Sequence, residues 1–196
     1  MMRDLIPALI LVLVFGLSVT ACTTTTNLAG VPEAKASTKA PPENRARVHT
    51  ELAALYYQQG SLKTALAEID TALRIDTDYA PAYDMRGLVR MQLGENREAA
   101  GDFQRAIGLA PSDPDFRNNY GLFLCEQGDY QAGLAQLAQA WSNPLYATPA
   151  LAYENASRCA AASGNQTLAN EYHQKSQRLG GTSPAVRSPQ ASGSTR

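Results

Sequence analysis

Four glycines recur along the chain, Gly60, Gly94, Gly128 and Gly164, at spacings of 34, 34 and 36 residues. A period of this length marks a stack of supersecondary units and leaves the chain few other architectures. The unit is clearest over residues 80–113, where Gly87 precedes the turn glycine Gly94, Ala99 and Phe103 follow on one helical face, Ala106 comes next and Pro111 closes the unit. Two short antiparallel helices pack closely only where small residues stand at the approach of their axes. Gly87 and Ala99 supply them, while Tyr83 and Phe103 are the bulky neighbours that fill the space alongside. Gly94 offers the backbone freedom of a helix C-cap. One such hairpin cannot bury its own apolar face, so the pattern predicts neighbours.

This is the spacing of a tetratricopeptide repeat (TPR), and the expected fold is all-α: a TPR superhelix of about four helix–turn–helix hairpins over residues 45–179. The repeats fall at about 46–79, 80–113, 114–147 and 150–179. In the first, Leu52, Ala53 and Tyr56 precede Gly60, and Ala65, Ile69 and Ala72 follow, with Thr77 in place of the closing proline. The third opens on Asp113-Pro114, repeats Gly87 as Gly121, and carries Gly133 where an alanine is usual. The segment 143–149, NPLYATP, then breaks the helix with two prolines and lengthens the period by two residues. In the fourth hairpin Ala169 is in place, but the second helix, LANEYHQKSQRL, is polar, as befits a terminal element with one side in water.

The N-terminus has a different character. Met1, Met2, Arg3 and Asp4 lead into an apolar stretch over residues 5–19, and then into Thr20-Ala21-Cys22. The shortness and position of this stretch indicate an export signal over residues 1–21 and not a spanning helix. LSVTAC also resembles a bacterial lipobox, in which the signal is cut before the cysteine and that cysteine is lipidated, which assigns a covalent lipid to Cys22. The alternatives are an uncleaved anchor and an ordinary signal beside a chance cysteine. By resemblance to lipoprotein sorting, Thr23 implies the outer membrane, with the domain facing the periplasm. Residues 22–44 are then the lipidated Cys22 and a Thr-, Ala- and Pro-rich tether with a reach of roughly 25 Å. Residues 180–196 lack both apolar content and period and read as a disordered tail.

Seventeen Lys+Arg against eighteen Asp+Glu provide no basic footprint for nucleic acid. His49 and His173 have no partners at metal-ligand spacing, and there is no phosphate loop, nucleophile motif or matched carboxylate pair. The reading is therefore a non-enzymatic protein with no cofactor and no small-molecule substrate. An unrecognised cell-wall enzyme is a distant alternative.

In an oxidising compartment, with Cys22 consumed by lipid, Cys125 and Cys159 are left to pair. Equivalent positions on neighbouring parallel helices stand 8–10 Å apart and point the same way, too far for easy bridging. Cys125 lies three residues before its turn glycine and Cys159 five before its own. That difference rotates one side chain by about 200° relative to the other, so the two can face each other. Two buried free thiols are the competing reading.

Arg117-Asn118-Asn119-Tyr120-Gly121, Phe123-Leu124-Cys125, Asn143-Pro144-Leu145-Tyr146 with Thr148-Pro149, and then Asn155-Ala156 and Cys159, resemble the PilF/PilW family of type IV pilus biogenesis lipoproteins. The likeness spans roughly residues 45–180 together with the lipobox. It implies a pilotin: a lipoprotein that brings the pilus secretin to the outer membrane and supports its assembly into a multimeric ring, with the secretin and the bilayer as partners. The binding surface expected for this role is the concave face of the first helices, counted back from the turn glycines as Thr50, Ala54 and Tyr57, then Asp84, Leu88 and Met91, then Asn118 and Leu122. A generic outer-membrane TPR adaptor recruiting other envelope proteins is the alternative, and needs neither the NPLY segment nor the cysteine pair.

Overall fold

The computed structural model describes residues 40–180. The expected signal peptide, Cys22, nearly all of the tether and residues 181–196 of the tail lie outside them. The described residues form eight α-helices: α1 (Pro42–Gln58), α2 (Leu62–Ile75), α3 (Ala80–Leu93), α4 (Asn96–Leu109), α5 (Pro114–Glu126), α6 (Tyr130–Trp141), α7 (Pro149–Ala162) and α8 (Gln166–Arg178). They pair as antiparallel hairpins α1/α2, α3/α4, α5/α6 and α7/α8, in the all-α repeat architecture expected from the glycine period.

Local sequence chemistry sets where each helix begins and ends. Every first helix has a proline in its opening positions, where the missing N–H is no loss, and this starts α1 at Pro42, ahead of the expected Arg45. Each hairpin turn closes on a glycine with φ between 74° and 87°. The residue after it donates back to a carbonyl of the preceding helix, as in Glu95 N–H to Arg90 O at 2.9 Å and Asp129 N–H to Leu124 O at 2.9 Å. This is the Schellman closure, which needs a left-handed residue at the glycine position. Asp129 and Asn165 then cap α6 and α8, accepting from Ala132 N–H and Leu168 N–H.

The core between the helices of each hairpin is built from alanine, with a few large side chains. Ala53, Ala65, Ala72, Ala99, Ala106, Ala140 and Ala156 are fully buried, alongside Ile69, Phe103 and Leu137. At Gly87 a Cβ would stand 2.7 Å from the Phe103 ring, so the ring occupies the volume the glycine leaves free. In the third hairpin the same approach is closer. Gly121 and Gly133 face each other, and a Cβ on Gly133 would stand 2.8 Å from Gly121 O.

A buried ion cluster joins α3 to α4. Asp102 accepts from Arg86 Nε (3.0 Å) and Nη2 (2.8 Å) and from Arg90 Nη1 (2.7 Å). Its carboxylate is nearly enclosed, and two guanidinium groups compensate the charge.

Candidate functional site

The helices fall into two layers. α1 touches α3, α3 touches α5 and α5 touches α7, whereas no second helix touches another second helix among the described residues. Helices in contact with their counterparts lie on the shorter inner arc, so α1, α3, α5 and α7 line the concave side.

Ten residues before the turn glycines stand Thr50, Asp84 and Asn118, and all three are buried. Thr50 donates to Ala46 O of its own helix at 2.9 Å. Asp84 and Asn118 belong to a polar ladder that crosses the inner layer. Asn119 Nδ2 donates to Asp84 Oδ2 (2.7 Å), Asn118 Nδ2 to Asn119 Oδ1 (3.3 Å), Asn155 Nδ2 to Asn118 Oδ1 (2.9 Å), and Arg158 Nη2 to Asn155 Oδ1 (2.7 Å). The ladder therefore ties α3, α5 and α7 side by side. Such residues hold the wall of a groove and have little surface to offer a partner.

Asp84 is the weak end of this network, because its Oδ1 is buried without a hydrogen-bond partner. Burial pushes its carboxyl up to about 7; the Asn119 hydrogen bond opposes the rise, and the negative charges of Asp113 and Asp115 add to it.

The other expected groove residues, Ala54, Tyr57, Leu88, Met91 and Leu122, all on the inner helices, are half-buried. Tyr57 packs on the first core cluster; burial raises its hydroxyl pKa and the Glu126 carboxylate adds to the rise. Leu88 and Met91 pack on the cluster around Phe103 and Phe123. The inner helices thus combine a buried polar ladder with half-buried apolar residues: one Tyr, one Met and small or branched aliphatic side chains.

The motif residues divide by role. Tyr120 packs against Phe103 and Phe123, with ring centroids 6.0 and 6.2 Å away, and accepts from Gln104 Nε2 at 3.0 Å, so it serves the junction between the second and third hairpins. Gly121 serves the close approach to α6. Asn143 Nδ2 donates to Ser112 O (2.8 Å) while its Oδ1 accepts from Leu145 N–H (2.9 Å). Tyr146 is buried in the core of the last two hairpins. Between these two anchors Pro144 is exposed and Leu145 stands 88% exposed.

Cys125 and Cys159 form a disulfide with Cα atoms 5.4 Å apart, linking α5 to α7. Gly133 explains how it fits. The Cys125 sulfur occupies the place where a Cβ on Gly133 would be, so a residue noted in the sequence only as a departure from alanine makes the room for the bridge. Asn155 and Arg158 join the ladder from outside the expected groove set; Asn155 stands nine residues before its turn glycine, where Asn118 stands ten before its own.

The histidines make matching contacts from opposite helices, His49 on the first helix of its hairpin and His173 on the second. His49 Nδ1 meets Glu68 Oε2 at 2.7 Å and His173 Nδ1 meets Glu154 Oε2 at 3.3 Å, each across its own hairpin. Among the described residues no cluster of His, Cys, Asp or Glu could hold a metal ion, and no helix is long and apolar enough to cross a membrane.

Residues 85–147 match the tetratricopeptide repeat family model. The chain is similar to the type IV pilus assembly protein PilF of Pseudomonas aeruginosa, with 29% identity over 131 residues that make up 67% of this chain and 52% of that protein. Its fold resembles the crystal structure of PilW, a widely conserved type IV pilus biogenesis factor, with TM-score 0.65 and 29% identity over 69% of this chain and 62% of PilW. The Pseudomonas aeruginosa PilF structure gives TM-score 0.67 and 26% identity over 71% of this chain and 63% of that one. The chain thus spans about half of the curated PilF sequence and less than two-thirds of either solved structure. These likenesses show a TPR fold similar to that of the pilus biogenesis factors PilF and PilW.

Proposed function

We propose that this protein is an outer-membrane lipoprotein that acts as a pilotin for type IV pilus biogenesis. Lipid on Cys22 anchors it, and the tether holds the repeat domain in the periplasm. The concave groove binds a segment of the pilus secretin, and the protein performs no catalysis. The observation that carries this reading is the likeness to PilF and PilW across the repeat domain. The groove supplies the physical means. A secretin subunit exposes apolar segments before insertion, and a membrane-tethered channel with an apolar rim raises the local concentration of such a segment at the bilayer.

Tyr57 and Met91 are the proposed anchors, an amphipathic ring and an adaptable thioether on the half-buried rim. The double variant Tyr57→Ala, Met91→Ala is expected to lose about tenfold in affinity for purified secretin, roughly the effect of removing one or two modest hot spots. Deleting the gene tests the whole reading. Outer-membrane secretin multimers and twitching motility are expected to disappear, and normal multimers in the deletion strain would refute the pilotin role. Cys22→Ser is expected to move the protein out of the membrane fraction.

A further inference from the structure

Every hairpin after the first stacks its opening helix on the hairpin before it, and the contact residues recur in register. Twelve and five residues before the turn glycines stand Ala82 and Val89 in α3, Phe116 and Phe123 in α5, and Ala152 and Cys159 in α7. All six are buried. The same two positions in α1 are Val48 and Leu55, and each is 54% exposed. They lie two helical turns apart on one side of α1, about 10 Å along its axis.

The three covered copies of this surface state what fits it. Ala72 and Leu73 of α2 share a core cluster with Ala82 and Val89. Ala106 of α4 shares one with Phe116, and Leu137 and Ala140 of α6 share one with Ala152 and Cys159. Each cover is the apolar side of an amphipathic helix running antiparallel to the helix it covers, built from small and branched aliphatic residues with one aromatic, Phe103 of α4, packed on Phe123. We propose that the outer side of α1 is a second docking surface, and that its occupant is an amphipathic α-helix of a protein partner. That helix stacks on Val48 and Leu55 as the second helix of a preceding repeat would. The proposal does not depend on the groove or on the secretin as its ligand.

A second copy of the chain is a poor occupant. In head-to-tail stacking α8 would have to supply the cover, yet its residues in register with Leu66 and Leu73 of α2 are Asn170 and Gln177, both exposed and polar. An α1–α1 pairing would join two side chains per copy, far short of the roughly 800 Å² per partner that a stable dimer needs.

Site-specific photocross-linking in intact cells tests this. The full-length protein carries p-benzoylphenylalanine at Leu55, and the cross-linked peptides are sequenced. The expected product is an adduct to the apolar side of an amphipathic helical segment of another protein. It should fall about fivefold or more when Val48→Asp is added, as loss of one anchor would produce. The same reporter at exposed Lys63 should give none. Circular dichroism melting confirms that the variants fold, and Val48→Ser, with a smaller loss of adduct, replaces Val48→Asp if that variant melts early. An adduct to residues 22–39 of the same chain, an adduct to a second copy, or no adduct overturns the proposal. Secretin binding by the same protein is scored separately, so loss of the pilotin reading would leave this result standing on its own.

Discussion

With its carboxyl pushed up to about 7, Asp84 keeps a proton in the folded protein over a pH range in which the unfolded chain has already released it. The associated stability is full below about pH 4, is lost as pH rises toward 7, and is absent above that, where a buried carboxylate has one oxygen unpartnered. Asp84→Asn, uncharged throughout, is expected to exceed the wild type by roughly 2–4 kcal/mol at pH 8 and to lose that advantage at pH 4. Urea midpoints at the two pH values measure it, and a variant less stable than wild type at pH 8 would contradict the assignment. Gly133→Ala should cost about 1–3 kcal/mol, because the added carbon meets the Cys125 sulfur and the Gly121 carbonyl, neither of which can retreat without moving a helix. A melting temperature within error of wild type would count against that packing. Asp84 and Asn118 were legible as inner-helix positions from their distance to the turn glycine. Their depth was not, since a residue on the inner arc is covered or left open according to how closely the next helix approaches, and that depends on Gly121, Gly133 and the ladder together.

Among the elements, the glycine period was enough to lay out four hairpins, because each unit closes through local chemistry: a left-handed glycine at the turn and a proline in the first turn of its opening helix. The 143–149 segment was legible as a break, but not as a built loop. Asn143 reaches back to Ser112, and that contact exists only once the third hairpin has folded. Asn143→Ala is expected to cost about 1–2 kcal/mol by removing two hydrogen bonds, whereas Leu145→Asp, at an exposed position, should stay within about 0.5 kcal/mol of wild type. Equal effects from the two would show that the loop is not held by Asn143. The disulfide closes a 34-residue separation between α5 and α7. Replacing both cysteines by serine is expected to remove about 3–4 kcal/mol and to raise amide exchange in α7 and α8 ahead of the other helices. Unchanged exchange there would mean that packing alone secures the last hairpin.

For the whole molecule, stability should be graded along the stack. The second, third and fourth hairpins are joined by the polar ladder, and the last two also by the disulfide, whereas the first has an uncovered side at Val48 and Leu55. Native-state hydrogen exchange is expected to find the slowest amides in α3–α6 and the fastest helical amides in α1 and α2; equal protection in α1 and α5 would contradict the gradient. The sequence made the number of repeats and the polar C-terminal cap legible. It did not reveal the open N-terminal side, because Val48 and Leu55 look like core residues until the register shows that nothing described here covers them. The ladder has a mechanical consequence as well. Among the described residues no side-chain rung joins α1 to α3, since Thr50 bonds back into its own helix, while rungs brace α3 to α5 and α5 to α7. With no rung at the α1–α3 joint, the inner wall there is expected to hinge on packing alone, so a load applied from the N-terminal side would open it by sliding side chains, whereas the α3–α5 and α5–α7 joints would have to break hydrogen bonds.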